Sequence, residues 1–311
     1  MRGARITGWG LALPDNVITN ADFEARLDTT DEWIVERTGI RERRHGGTTT
    51  SLAVESGRQA IARAGLVPSD IDLLILSTTT PDQTVPATSS SVHHLLGCTG
   101  AAFDLNASCA GFVYALVTAV ALLDAGHEKA LVVGSDTLSR ITDQTDRATA
   151  VLFADGSGAI VVEASDTGPL ILAHDLGVDG SLAPILFCDT GGYLVMEGRE
   201  VFRRAVRSTV ESAERVLKNA GVTVDEIALF VPHQANLRIV DAVGQRLNIP
   251  EDRYAICLDH TGNTSAASVG IALAEAADAG RLADGDLVLF AGFGAGMTWG
   301  SALVRWGGSP A

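Results

Sequence analysis

Basic and aromatic residues are both scarce in this chain of 311 residues. Lys and Arg together number 23 against 38 Asp and Glu, which gives a formal net charge of −15, and aromatic residues make up only 5%. A protein that binds nucleic acid along its surface needs an excess of Lys and Arg to neutralise phosphates. The charge balance therefore argues against nucleic acid as a partner.

Cysteine is sparse as well. Cys98, Cys109, Cys188 and Cys257 show no C-x-x-C spacing, so neither a disulfide framework nor a cysteine-based metal site is predicted. Residues 1–6 lack the apolar run of a signal peptide. We therefore expect free thiols, no metal and a cytoplasmic protein.

Long apolar runs are few, and one of them needs a membrane test. The stretch from Leu105 to Leu123 contains no charged residue and approaches the length of a membrane-spanning helix. Its first part, residues 106–111, is polar and small, and strand-like sequence flanks the stretch on both sides. We favour a buried central helix over a membrane span.

The sequence also contains an internal repeat. A helical pattern ending in Ala64-Gly65 leads to the apolar run Leu73–Leu76, and the same order recurs 156 residues later with Ala220-Gly221 and Leu229–Val231. Apolar strands that alternate with helices predict an α/β protein whose sheets are covered on both faces. We therefore expect two similar halves, 1–165 and 166–311, although chance similarity of common α/β patterns is the alternative.

The repeat places three reactive side chains at comparable positions. A second match at an offset of 154 residues makes Cys109 and Asn263 equivalent helix starts, and His233 follows the strand at 229–231. Strand ends and helix starts are where α/β proteins place their sites. Cys109, His233 and Asn263 are accordingly the candidate catalytic residues.

Three long motifs surround these residues. They are Asp-Leu-Asn-Ala-Ser-Cys-Ala-Gly-Phe at 104–112, Val-Pro-His-Gln-Ala-Asn-Leu-Arg-Ile at 231–239 and His-Thr-Gly-Asn-Thr-Ser-Ala-Ala-Ser at 260–268. Together with the segments 30–41 and 294–300, they resemble the β-ketoacyl-acyl carrier protein synthase III family nearly end to end. The resemblance implies a thiolase-like fold, with two duplicated α/β halves in a layered αβαβα arrangement. The first half would contain the nucleophilic cysteine, and the second would contain the histidine and the asparagine.

The resemblance gives each residue a role that chemistry can rationalise. At a helix start, unpaired N–H groups favour a thiolate, and Cys109 would take an acyl group from acyl-CoA. His233 and Asn263 would donate hydrogen bonds to the enolate formed when a malonyl thioester loses CO2. Taken singly, His233 could be a core histidine and Asn263 a turn residue or helix cap.

A glycine-rich loop near the C-terminus has two interpretations. Gly292-x-Gly294 could suggest a nucleotide-binding loop, but a dinucleotide fingerprint opens a helix after the first strand. By the resemblance, the backbone N–H groups of Cys109 and Ala295 form an oxyanion hole.

Substrate-binding residues follow from the same resemblance. Trp33, Arg37 and Arg147, with Thr29, match positions that bind CoA, where Trp and Arg can stack on adenine. Trp33 could instead be a core residue. Val85 matches a position that limits the acyl pocket across a dimer, and its small size suggests a longer or branched primer without identifying it.

Arginines stand out in so acidic a chain. Arg199, Arg203 and Arg207 share one helical face, as do Arg238 and Arg246. A solvated helix face is the ordinary interpretation. The sharper hypothesis is a docking surface for acyl carrier protein, which is acidic.

The expected protein is therefore an initiating condensing enzyme that joins an acyl-CoA primer to malonyl-acyl carrier protein in fatty acid or polyketide synthesis. No cofactor is expected, because CoA and phosphopantetheine thioesters are substrates. The family implies a homodimer. One alternative is a related acyltransferase or ketosynthase that uses a CoA-bound extender in secondary metabolism. Another is a non-catalytic homologue that binds carrier protein.

Overall fold

Two large β-sheets form the centre of the molecule. The computed structural model describes residues 3–166 and 168–307. Within them the strands are β1 (Gly3–Ala12), β2 (Val17–Thr19), β3 (Glu42–Arg44), β4 (Leu73–Ser77), β5 (Ala101–Leu105), β6 (Lys129–Thr137), β7 (Asp155–Ser165), β8 (Ile171–Val178), β9 (Leu186–Phe187), β10 (Val195–Met196), β11 (Ile227–Pro232), β12 (Leu287–Gly294) and β13 (Thr298–Arg305).

Helices connect and cover these strands. They are α1 (Asn20–Glu24), α2 (Asp31–Thr38), α3 (Thr49–Arg63), α4 (Thr88–Leu96), α5 (Gly111–Asp124), α6 (Arg147–Ala150), α7 (Gly198–Ala220), α8 (Leu237–Leu247), α9 (Leu258–Thr261) and α10 (Ala267–Asp278).

The two sheets share one strand order. The first sheet runs β1-β7-β6-β4-β5 and the second runs β8-β13-β12-β11. Parallel pairs lie beside the closing hairpin in both sheets, β4 with β6 in the first and β11 with β12 in the second. The closing hairpin itself is antiparallel, β6 with β7 and β12 with β13. The first sheet differs by one additional edge strand, β5. The two sheets are thus built to the same plan from successive parts of the chain.

The layers alternate between helix and sheet. Helices α3 and α4 cover the outer face of the first sheet, α5 and α10 lie between the sheets, and α7 and α8 cover the outer face of the second. The predicted αβαβα arrangement is confirmed. Because helices cover both faces of each sheet, the central strands are apolar throughout, and Leu73–Leu76 is almost completely buried.

The apolar stretch considered as a possible membrane span is the central helix α5. Phe112, Leu116 and Leu123 on it are fully buried in the core between the two sheets. Burial of most of this helix explains why its sequence is largely apolar, and within it only Ala121 and Asp124 are exposed. Among the residues that the structure describes, no helix is both long and apolar enough to cross a bilayer.

Glycines allow the middle helices to approach the first sheet closely. A Cβ atom on Gly158 of β7 would lie 2.4 Å from the backbone nitrogen of Ile271 in α10. A Cβ atom on Gly134 of β6 would lie 2.3 Å from the carbonyl oxygen of Ala266, just before α10. Backbone atoms cannot rotate away as a side chain can, so only glycine fits at either position.

We therefore expect Gly158→Ala to lower the free energy of unfolding by about 1–3 kcal/mol, because the added methyl forces α10 away from the sheet. Gly180→Ala is the matched control, since no heavy atom lies within 4 Å of its added Cβ. The two variants are compared by urea denaturation. Equal stability of both variants would contradict this account of the packing.

Candidate active site

Two cavities meet at Cys109. The first, called here the His–Asn cavity, has a volume of about 130 Å³ and is lined by Cys109, His233 and Asn263 among others. The second, called here the apolar cavity, has a volume of about 190 Å³. Besides Cys109, its lining consists of the polar residues Thr79, Asn106, Ser108 and Ser265 and of Leu138, Ile141, Phe153, Leu186, Phe187, Cys188, Leu194 and Ala295, which give it its name. The structure thus brings the three predicted catalytic residues together.

Cys109 lies in a short 3-10 turn, Ser108–Ala110, that leads directly into α5. Its sulfur accepts a hydrogen bond from the hydroxyl of Ser265 at 3.3 Å. Ser265 belongs to the loop before α10, so this bond joins the starts of the two middle helices. Sequence reasoning did not assign a role to Ser265, although it lies within the third motif.

The charge state of Cys109 differs from the sequence-based expectation. A helix start was expected to lower the pKa of the thiol, but burial raises it to about 12. The Ser265 hydroxyl acts in the opposite direction, and the negative charge of Asp136 raises the pKa further. Removal from water disfavours an anion more than these nearby dipoles favour it. Cys109 is therefore a neutral thiol in the resting site.

His233 is held as a hydrogen-bond donor. It follows β11, and its Nδ1 lies 2.7 Å from the hydroxyl oxygen of Ser268. That oxygen also accepts the backbone N–H of Gln234 at 3.2 Å. Within the described residues Nδ1 is the one acceptor that the Ser268 hydroxyl proton can reach, so the hydroxyl donates to Nδ1. With Nδ1 as acceptor, the ring proton resides on Nε2. Burial also lowers the pKa of His233 to about 3, so the ring is neutral at physiological pH.

Asn263 is locked by three hydrogen bonds. Its backbone N–H donates to the carbonyl of Leu152 at 2.9 Å, and its own carbonyl accepts from the N–H of Ala154 at 2.9 Å. Its side-chain oxygen accepts the backbone N–H of Ser265 at 2.9 Å. Because the oxygen is occupied, the NH2 group is the part available to the His–Asn cavity.

The equivalence predicted between Cys109 and Asn263 is wrong by three positions. Asn106 accepts the N–H of Ser108 at 3.0 Å just as Asn263 accepts that of Ser265. Both serines have positive φ values, 50° and 52°. The structural counterpart of Asn263 is thus Asn106, and Cys109 corresponds to Ala266. A single sequence offset missed this because the connecting segments differ in length.

The glycine-rich loop lies against the nucleophile. A Cβ atom on Gly294 would be 2.5 Å from the backbone nitrogen of Cys109, and Ala295 lines the apolar cavity beside the sulfur. Two backbone hydrogen bonds between Asp179 and Met297, at 2.9 and 3.0 Å, hold this loop. The loop ends one strand and begins another within a β-hairpin, so it does not open a long helix as a dinucleotide-binding loop would.

The residues predicted to bind CoA form one cluster. The guanidinium carbons of Arg147 and Arg37 lie 4.7 and 5.6 Å from the centre of the Trp33 ring. The hydroxyl of Thr29 is buried without a hydrogen-bond partner in the described part of the chain. Asn236, which lines the His–Asn cavity, donates to the carbonyl of Arg37 at 2.9 Å. The cluster therefore lies beside one wall of that cavity.

The predicted docking arginines lie around the junction of α7 and α8. A groove of about 410 Å³ is lined by Phe202, Arg203, Arg204, Val206, Arg207 and Arg246. Arg203 pairs with Glu200 and Arg207 with Glu211 on the same helix. Within residues 3–166 and 168–307, the salt bridges include none to Arg199, Arg238 or Arg246, all of which are exposed. Glutamates thus neutralise only part of this basic surface.

Val85 and Cys188 stand differently to the two cavities. Val85 is 81% exposed and does not line either cavity within one chain. It lies just before α4, and its place in the acyl pocket across a dimer stays a prediction. Cys188 is only partly buried, unlike Cys98 and Cys257, and it lines the apolar cavity. Sequence reasoning did not assign Cys188 to the pocket.

Comparison with known proteins agrees with this geometry. Residues 103–180 match the family described as 3-oxoacyl-[acyl-carrier-protein] synthase III, and residues 217–306 match its C-terminal domain. The chain is 49% identical to the β-ketoacyl-[acyl-carrier-protein] synthase III of Erythrobacter litoralis (strain HTCC2594), over 97% of this chain and 99% of that protein.

Solved structures are equally similar. The 3-oxoacyl-[acyl-carrier-protein] synthase III from Aquifex aeolicus superposes with a TM-score of 0.96 at 44% identity, covering 98% of this chain and 100% of that one. The priming β-ketosynthase of the R1128 polyketide pathway superposes with a TM-score of 0.94 at 37% identity, covering 99% and 98%. The predicted thiolase-like fold is confirmed, and the chain belongs to the β-ketoacyl-acyl carrier protein synthase III family.

Proposed function

We propose that this protein condenses an acyl-CoA primer with malonyl-acyl carrier protein, giving a β-ketoacyl-acyl carrier protein, CO2 and CoA. The observation that supports this reaction most directly is the convergence of Cys109, His233 and Asn263 on one cavity. A neutral histidine held with its proton on Nε2 suits enolate stabilisation, which requires a donor rather than a base.

In the first half-reaction, the sulfur of Cys109 attacks the carbonyl carbon of the acyl-CoA thioester. A new C–S bond forms, the bond to the CoA sulfur breaks, and the thiol proton leaves with CoA as its free thiol. Backbone N–H groups of Cys109 and Ala295 would stabilise the oxyanion. Ser265 and the start of α5 favour the developing sulfur anion, which offsets part of the cost of burial.

In the second half-reaction, the malonyl group loses its carboxylate as CO2. The electron pair left behind forms an enolate, whose oxygen accepts hydrogen bonds from Nε2–H of His233 and the NH2 group of Asn263. The carbanion carbon then attacks the acyl carbonyl, a C–C bond forms, and the C–S bond to Cys109 breaks. The thiolate released takes up a proton from solvent, which restores the neutral thiol. Every chemical role is filled by a side chain or a backbone amide, so the proposed reaction uses no metal or redox cofactor.

The apolar cavity is the natural place for the acyl chain. Leu138, Ile141 and Leu194 line this cavity and not the His–Asn cavity, whereas the His–Asn cavity adjoins the cluster of Trp33, Arg37 and Arg147 through Asn236. An apolar cavity of about 150 Å³ is large enough for benzene, and this one measures about 190 Å³. The primers that fit are therefore short acyl groups of up to about six carbons, acetyl included.

A homodimer in the cytoplasm is part of the proposal. Strand β5 is an open edge with partly exposed residues, and Val85 and Leu95 are exposed near it. An unprotected edge strand with apolar neighbours favours pairing with a second copy. In that arrangement Val85 of one chain would reach the acyl pocket of the other. The four free cysteines suit a reducing compartment.

Alternatives to this proposal differ in the pathway that the reaction serves and in the extender that it uses. The R1128 relative is a priming ketosynthase of polyketide biosynthesis, so this reaction could serve fatty acid or polyketide initiation. The intact set of Cys109, His233 and Asn263 favours a condensing enzyme over a non-catalytic carrier-binding homologue. Comparing the condensation rates with malonyl-carrier protein and with malonyl-CoA distinguishes an enzyme that uses a carrier-bound extender from one that uses a CoA-bound extender.

Mass spectrometry of the intact protein tests acyl transfer. After exposure to acetyl-, butanoyl-, hexanoyl- and decanoyl-CoA, the wild-type protein should gain one acyl group from each primer except decanoyl. Cys109→Ala should gain none, because the nucleophile is missing. Cys188→Ala is the matched control, since it removes the other thiol of the apolar cavity and should still be acylated. Labelling of Cys109→Ala would overturn the mechanism, while loading of acetyl alone would overturn only the cavity assignment.

Condensation by the isolated acyl-enzyme tests the two donors. His233→Ala and Asn263→Ala should still load acyl groups but lose about 10²–10³-fold in condensation rate, as expected for removal of one oxyanion donor. Since the pKa of His233 is lowered to about 3, the donor form persists on acidification. The wild-type single-turnover rate should therefore not fall between pH 7.5 and 5 through protonation of this histidine. A loss centred near pH 6.5 would contradict its burial as a neutral donor.

Charge reversal tests the docking surface. Replacing Arg203 and Arg238 together by glutamate should raise KM for malonyl-carrier protein by about tenfold, because an acidic partner loses two attractions. KM for malonyl-CoA should change little. Arg58→Glu is the control, since Arg58 is exposed on α3, on the outer face of the first sheet. An unchanged KM for the carrier-bound substrate would rule out this surface.

A further inference from the structure

One buried carboxylate near the active site has no role in the reaction described so far. Asp136, near the end of β6, is 0% exposed. Its Oδ1 accepts hydrogen bonds of 2.7–3.1 Å from hydroxyl and backbone N–H groups of Thr78, Thr79 and Thr80. All of these donors are neutral. Burying a carboxylate among neutral donors costs free energy of folding, which points to a function for Asp136 beyond packing.

Within the described residues, the other oxygen of Asp136 has one hydrogen-bond partner, which lies in the second half of the chain. Oδ2 accepts the backbone N–H of Ala266 at 3.0 Å. Ala266 immediately precedes α10 and follows the turn in which Asn263 accepts the N–H of Ser265. Asp136 thus connects the first sheet to the loop that presents the Asn263 amide.

That loop needs an external restraint. Ser265 has a φ of 52°, a conformation that costs a non-glycine residue about 1–2 kcal/mol and persists only where the surroundings impose it. Gly134 packs against the carbonyl of Ala266 on one side, and Asp136 binds the N–H of the same residue. The two peptide groups on either side of Ala266, the first of which joins it to the strained serine, are therefore fixed by β6.

We infer that Asp136 is a positioning residue for condensation, which holds the Ala266 N–H and thereby keeps the Asn263 amide aimed into the His–Asn cavity. The inference rests on the proposed function, because it assigns Asn263 to the enolate. It predicts that loss of the Oδ2 contact impairs the second half-reaction more than the first.

Asp136→Asn is the informative substitution. The cluster of threonine donors around Oδ1 requires an acceptor there, so the asparagine oxygen must take that side and its NH2 group must face the Ala266 N–H. Two donors then oppose each other, and the contact to the loop is lost while side-chain size is kept.

The effect on the first half-reaction should be small for a separate reason. The carboxylate raises the pKa of the Cys109 thiol, whereas the hydrogen bond from Ser265 lowers it. Asp136→Asn removes the charge and also loosens Ser265, so the two changes oppose each other at the sulfur. We expect acyl loading to change less than about threefold and condensation by the isolated acyl-enzyme to fall about tenfold or more, since displacements of about 1 Å can cost 10².

A double-mutant cycle separates positioning from general damage. In an Asn263→Ala background, Asp136→Asn should cause no further loss of condensation, because its effect acts through the missing amide. Asp155→Asn is the matched control: Asp155 is equally buried, on β7, and binds Ser139 and Gly46 in the same half of the chain. It should lower thermal stability without changing the ratio of the two half-reaction rates.

Ala266→Pro removes the same N–H from the opposite side and covers the case in which Asp136→Asn does not fold, because Ala266 already has a φ of −62°. It should show the same preferential loss of condensation. A proportional fall in both half-reactions, an unchanged condensation rate, or a further loss in the Asn263→Ala background would overturn the inference. Absence of acyl loading by the wild-type protein would instead refute the proposed function.

Discussion

The active site depends on the packing of α10, a helix of the second half of the chain, against the sheet of the first half. Gly158 and Gly134 let the backbone of this helix and of the loop before it come within contact of β7 and β6. This close contact lets the Ser265 hydroxyl donate a hydrogen bond to the sulfur of Cys109. It also lets the backbone of Asn263 form hydrogen bonds with the backbones of Leu152 and Ala154. Cys109 and Asn263, more than 100 positions apart in the chain, line one small cavity because this helix–sheet contact is so close.

Exclusion of water from that contact sets the charges of the reacting groups. Burial makes Cys109 a neutral thiol and His233 a neutral imidazole, and Ser268 selects the tautomer that donates from Nε2. A permanently charged histidine would attract the malonyl carboxylate, whereas a neutral donor interacts most strongly with the enolate as charge develops on its oxygen. The site is thus arranged for the transition state of decarboxylation and leaves the thiol proton to be lost during acyl transfer.

The entrance to the site differs from its interior in being exposed to solvent. Arg37 and Arg147 beside the half-buried Trp33 ring, and Arg203, Arg207 and Arg246 of the basic groove, are exposed to solvent, where each charge contributes little to stability. In a chain with a net charge of −15 they are a local exception. Such an exception is more useful for attracting acidic or phosphorylated partners than for holding the fold together. Asn236 links the His–Asn cavity to the cluster around Trp33, because its side chain lines the cavity and donates a hydrogen bond to the carbonyl of Arg37.

The sequence by itself determined the α/β class, the duplicated plan and the three proposed catalytic residues, because apolar strands, helix periodicity and long local motifs are properties of neighbouring residues. Only the tertiary structure decided the charge of Cys109, the tautomer of His233, the exposure of Val85 and the correspondence of Asn263 with Asn106. It also decided the place of Asp136, which in the sequence is an ordinary acidic residue at the end of an apolar strand. Each of these properties depends on contacts between distant segments and on the water they exclude, and neither can be read from residues adjacent in the chain.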